Sequence, residues 1–196
     1  MEIIDRVKNI LVTPKTEWPI IEKENASHIK VLTTYVLLLA AIPAIAAFIG
    51  NGLIGYSVLG HRIASVGLGF KSAIVQYVTM VGGVYITAFV INILAENFGS
   101  RKNFDQAFSL VAYAYTPAFV GGIFYIHHSL SLLASLASLY SLYLLYIGLA
   151  PMMKTPKEKH TSYFVVSLLV MLAALILLGM ILGAILIGGT AAAYRF

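Results

Sequence analysis

Five stretches of this chain, residues 31–50, 73–95, 107–126, 130–150 and 165–189, run for twenty residues or more without Asp, Glu, Lys, Arg or His. About 20 apolar residues in a helix cross the ~30 Å hydrocarbon core of a bilayer. Lipid offers no hydrogen-bond partners, so each stretch must satisfy its own backbone, which a helix does. The chain as a whole is 60% hydrophobic and 11% charged, against about 25% charged residues in a soluble domain. These runs predict an all-α integral membrane protein with five transmembrane helices. Only His127-His128-Ser129 separates the third from the fourth, which predicts a tight antiparallel hairpin. An odd number of spans excludes two equal inverted halves.

The charges sort by side. Ten of the thirteen Lys and Arg residues lie before the first span, between the second and third, or between the fourth and fifth. Arg62, Lys71 and Arg195 fall on the other side, and all eight acids lie with the ten bases. Clustered bases remain in the cytoplasm, so the expected topology is N-terminus in, C-terminus out. The net charge of +5 is therefore a consequence of topology, and nucleic-acid binding is not expected.

Residues 1–30 read as a cytoplasmic or interfacial amphipathic segment ahead of a five-helix domain over 31–196. They are charged throughout and do not resemble a cleavable leader. Ile3, Ile4, Val7, Ile10 and Leu11 recur at helical spacing opposite Glu2, Asp5, Arg6, Lys8 and Asn9. Such a helix can lie among lipid headgroups or pack on the protein's own cytoplasmic face. Pro14 and Pro19 punctuate the next residues, and Thr13 or Thr16 can cap a second short helix. Trp18 and Ile21 would anchor that helix at the interface. On the outer side, the glycine-rich stretch 51–69 reads as a surface loop or an extended segment.

Little in the chain suggests catalysis. Intramembrane hydrolysis requires a carboxylate pair, a nucleophile with its base, or metal ligands within the spans, and these spans contain none. With no cysteine, disulfides and thiolate sites are impossible. His61, His127 and His128 could meet on the outer side, a weak candidate metal site; no cofactor is otherwise expected. Polar stripes do exist: Gln76, Thr79, Gly83 and Thr87 in the second span, and Ser131, Ser135, Ser138 and Ser141 in the fourth. They serve either close helix packing or a path for a small solute. The candidate polar core or path is Gln76, Tyr113, Thr116, Pro117, Ser135, Ser138 and Tyr143. Gly179 and Gly183, repeated as Ala184 and Gly188, allow self-association or intrachain packing.

Pro117 lacks an N–H and frees the carbonyl of Tyr113, bending the third span; Thr116 can bond back to the preceding turn. The freed carbonyl needs a partner, with serines of the fourth span or Gln76 as candidates. Three segments, read together, resemble the Yip-domain family of five-span membrane proteins in its bacterial inner-membrane branch. They are 10–24 with Thr13-Pro14-Lys15-Thr16-Glu17-Trp18, then Ala112-Tyr113-Ala114-Tyr115-Thr116-Pro117, and the aromatic-Gly run Leu142–Leu149. The resemblance implies a multi-pass protein of a prokaryotic cytoplasmic membrane. Its role would be to organise the membrane or scaffold membrane partners, without catalytic residues. A small-solute channel or carrier among spans two, three and four is the alternative. Eukaryotic relatives are associated with Rab GTPases and membrane shaping. Their long acidic N-terminus has no counterpart in these residues, so Rab binding is not implied.

Overall fold

The computed structural model describes residues 2–58 and 61–193, with side chains left aside at 58 and 182–193. Five helices are long and apolar enough to cross a membrane: α3 (His28–Ile54), α4 (Val66–Phe98), α5 (Phe104–Ile126), α6 (His128–Met153) and α7, apolar enough over Lys157–Ile181 and running Lys157–Ala193. Ahead of them, α1 (Ile3–Val12) and α2 (Pro14–Glu24) form a helical hairpin. Helix α5 is the hub, packed against α3, α4 and α6, while α7 leans mainly on α4. The charged ends of the helices are tied together. Asp105 on α5 accepts from the His28 backbone N–H at 2.7 Å, and Ser100 donates to Thr155 at 2.9 Å.

The glycine-rich outer stretch is more ordered than a plain loop. Strands β1 (Tyr56–Val58) and β2 (His61–Ile63) pair antiparallel, with Ser57 opposite Arg62. Gly55 enters this hairpin at φ +72, a conformation glycine adopts without steric cost. Arg62 then folds back, donating to Ile54 O at 2.9 Å and Leu53 O at 3.1 Å. Those carbonyls lie in the last turn of α3, where a cation is favoured.

The N-terminal segment packs on the protein itself. Helix α1 crosses α5 over both sides of its break, and α2 packs along α6. At the turn between them, Tyr140 of α6 donates to Leu11 O at 2.9 Å. Tyr140 is 13 residues before Met153, about 20 Å along the helix at 1.5 Å per residue. Measured from Ala150, where the apolar run ends, the distance along the helix is about 15 Å. The hairpin therefore runs alongside α5 and α6 and does not lie across their charged ends.

Trp18 locks the returning arm. It is 1% exposed and lies over Gly148 of α6, where a Cβ would fall 2.6 Å from Trp18 Cε2 and 2.7 Å from Leu110 Cδ1. Only glycine leaves room for the indole. Asn25 ends α2 in the left-handed conformation (φ 43), a known use of Asn after a helix. Gln106 donates to Glu22 O at 3.1 Å and Asn25 Oδ1 at 3.0 Å; Lys154 pairs with Glu22 at 2.9 Å.

Trp18 is the single tryptophan of the chain, so its emission reports whether the hairpin is docked. Gly148→Val should cost about 1–3 kcal/mol of overpacking, shift that emission to longer wavelength and open it to acrylamide. Unchanged emission and quenching would contradict the docked position.

Candidate functional site

Where α1 crosses α5, charge is buried beside spans that themselves carry none. Arg6 is 4% exposed and Glu17 2%. Arg6 Nη1 donates to Glu17 Oε1 at 2.5 Å, and Nη2 donates to Glu24. The guanidinium also lies 5.3 Å from the centre of the Tyr113 ring, a cation–π distance. One arm of the hairpin supplies the cation and the other both carboxylates, so the cluster clamps the two arms together. A buried charge of this kind persists only when paired.

Beneath the cluster lies the break in α5, between Ala114 and Thr116. Thr116 is fully buried and donates to Tyr113 O at 2.6 Å, satisfying the carbonyl that Pro117 frees. Because its proton is committed there, Tyr35 of α3 must donate to Thr116 Oγ1, at 2.6 Å. On the far side of the break, the Ala118 N–H donates to Ser141 Oγ of α6 at 3.2 Å. Thr87 of α4 meets the Tyr115 hydroxyl at 3.1 Å. The kink is thus satisfied internally and from three neighbouring helices.

The residues expected to form one polar core are dispersed. Tyr113, Thr116 and Pro117 sit together at the break, but Gln76 lines an outer cavity of about 350 Å³ with His127 and His128. Ser135 and Ser138 donate to carbonyls of their own helix, Ser131 O at 3.1 Å and Ala134 O at 3.0 Å. Tyr143 stacks on Tyr140 near the hairpin turn. His61 is exposed on β2, His127 Nδ1 accepts from the Ser129 N–H at 3.3 Å, and His128 stacks on Tyr56. Among the described residues, no group of three or more His, Cys, Asp or Glu is placed to hold a metal. Of the stripe expected at the interface, Ile10 and Trp18 are in the core, Ile3, Val7 and Leu11 pack at its edge, and Ile4 is 73% exposed. A Cβ at Gly179 would meet nothing within 4 Å among the described residues, so that glycine makes no close contact with them; the surroundings of Gly183 lie outside what is described.

Sequence reasoning missed Arg6, Glu17 and Glu24 because it treated the tail as separate from the spans. A usable signal was present: two helices of 10 and 11 residues joined at Thr13-Pro14, each about half a bilayer long. A crevice of about 440 Å³ opens beside the cluster, with Arg6, Glu24, Lys30, Thr34, Tyr35 and Tyr113 among its walls. It adjoins a π-helical turn of α3, Leu32–Val36, a feature frequent at functional sites.

Arg6→Ala would leave Glu17 buried and unpaired, at a cost of about 3–5 kcal/mol. Glu24 has a side chain 39% exposed, so Glu24→Gln should cost about 1 kcal/mol or less. Thermal unfolding in detergent separates the two; equal losses would contradict a clamp centred on Arg6 and Glu17.

The family model for the Yip1 domain matches residues 8–191. Two curated relatives, each named "Inner membrane protein YohC", come from Escherichia coli (strain K12) and Escherichia coli O6:H1. Each is 30% identical over 155 residues, covering 76% of this chain and 80% of the relative. No solved structure matches.

Proposed function

The chain belongs to the Yip1-domain family and is a multi-pass membrane protein of the inner-membrane type represented by YohC. From that premise we propose that it is a non-enzymatic organiser of the bilayer around it, with the charged end in the cytoplasm. The observation that carries this reading is the reach of the hairpin along α5 and α6 together with the character of its outer face. With α6 crossing the bilayer, the turn would lie near the bilayer centre and the two arms would descend through one leaflet and return. Asp5, Lys8 and Lys15 point outward, and none has a partner among the described residues. Three charges left dry along that descent would cost about 8–10 kcal/mol in total on the insertion scale. Drawing water and headgroups down to meet them costs only fractions of a kcal/mol per Å of thinning. Thinning wins. It occurs on one side of the bundle and in one leaflet, a local deformation that neighbouring proteins and lipids would sense. The interior polar groups support this reading over a solute path, because those at the break in α5 are committed to one another.

Lipids with deuterated chains test the proposal by solid-state NMR. Wild-type protein should lower acyl-chain order near the cytoplasmic surface. Asp5→Leu, Lys8→Leu and Lys15→Leu together should restore it, since none of the three side chains is buried. Equal order profiles would overturn the proposal, as would solute flux through vesicles carrying the purified protein.

A further inference from the structure

The crevice between α1, α3 and α5 presents an unmatched set of polar groups. Glu24 and Lys30 both line it, yet they form no ion pair within 4.0 Å. One oxygen of Glu24 is held by Arg6, which leaves the other uncommitted. Thr34 spends its hydroxyl on Lys30 O at 2.7 Å and Tyr35 on Thr116. Neither the Lys30 ammonium nor the Tyr113 hydroxyl has a partner among the described residues. The groups left over are one cation, one neutral donor and one carboxylate oxygen, separated across a single opening.

We propose that this crevice binds a phosphoethanolamine group. Its phosphate would meet Lys30 and the Tyr113 hydroxyl, and its ammonium would meet the free oxygen of Glu24. Charge-assisted contacts of this kind are the strong ones. A purely anionic headgroup would bring its phosphate to Lys30 but leave Glu24 unmatched. A quaternary ammonium has no N–H to donate to Glu24. Depth agrees with a lipid as the source. Lys30 is in the first turn of α3 after His28, just ahead of the apolar run that begins at Val31, and Ile3 and Val31 supply apolar wall beside it. Ile29, beside Lys30 in sequence, is exposed where acyl chains would run. This inference does not depend on leaflet thinning: the crevice could select its headgroup in a bilayer of undisturbed thickness.

The test uses the full chain in nanodiscs holding equal amounts of phosphoethanolamine and phosphoglycerol lipid, with retained lipids counted by native mass spectrometry. Wild type should retain the phosphoethanolamine lipid about tenfold over the other, the worth of a hydrogen bond to a charged group. Glu24→Gln should bring the ratio to parity with lipid still bound, and Lys30→Ala should lower retention of both. Tyr113→Phe keeps the ring on Arg6 and should weaken retention severalfold, which guards against a variant that fails through the clamp. Excess soluble phosphoethanolamine separates the sources: displacement assigns the site to a water-soluble zwitterion, and resistance assigns it to the lipid. Equal retention of both lipids by wild type, or a preference that survives Glu24→Gln and Lys30→Ala, would overturn the proposal.

Discussion

Pairing of Arg6 with Glu17 and Glu24 is the interaction on which the rest of this structure depends. Without it, Arg6 and Glu17 would be buried against the bundle unpaired, which is costly. With it, the guanidinium is neutralised where it is buried, and it also lies against the Tyr113 ring of α5. Each arm of the hairpin also adds an apolar contact, Ile10 from the first and Trp18 and Ile21 from the second. Electrostatics and packing thus support each other. Buried ion pairs seldom add much net stability against an apolar replacement, but removing one partner is costly. The cluster is best understood as setting the register of the hairpin on α5.

The break in α5 and the hairpin form one construction. A proline in a membrane helix frees backbone groups that lipid cannot satisfy. Here Thr116 answers from within the helix, Tyr35 orders Thr116, and Ser141 answers the N–H on the far side. The kink gives α1 a surface to cross, and α1 in turn covers polar atoms that would otherwise face lipid.

Much of the fold could be read directly from residue types. The five helices follow from charge-free runs, and the α5–α6 turn follows from the three residues between them. The freed Tyr113 carbonyl was expected to meet a serine of the fourth span or Gln76; Thr116 of its own helix meets it instead, and Ser141 takes the Ala118 N–H beyond the break. Ser135 and Ser138 turn back to their own carbonyls. Periodicity reports which face of a helix a side chain occupies, and neighbouring serines on one helix differ in what lies opposite. The same limit applied to Trp18. An amphipathic, aromatic tail is compatible with a headgroup layer by composition alone, and the notch at Gly148 that receives the indole is assembled from another helix.

The sequence by itself determined that this chain lives in a bilayer, because hydrophobic transfer and backbone satisfaction are local properties that each run meets alone. It also determined the bend at Pro117, since a missing N–H is local too. The tertiary structure decided where the charged tail goes and which charges meet. Arg6 and Glu17 are 11 residues apart, and their pairing depends on a turn at Pro14, a gap at Gly148 and a ring at Tyr113. No one segment encodes that meeting. It exists only once α5 and α6 stand side by side and leave a groove for the hairpin to fill.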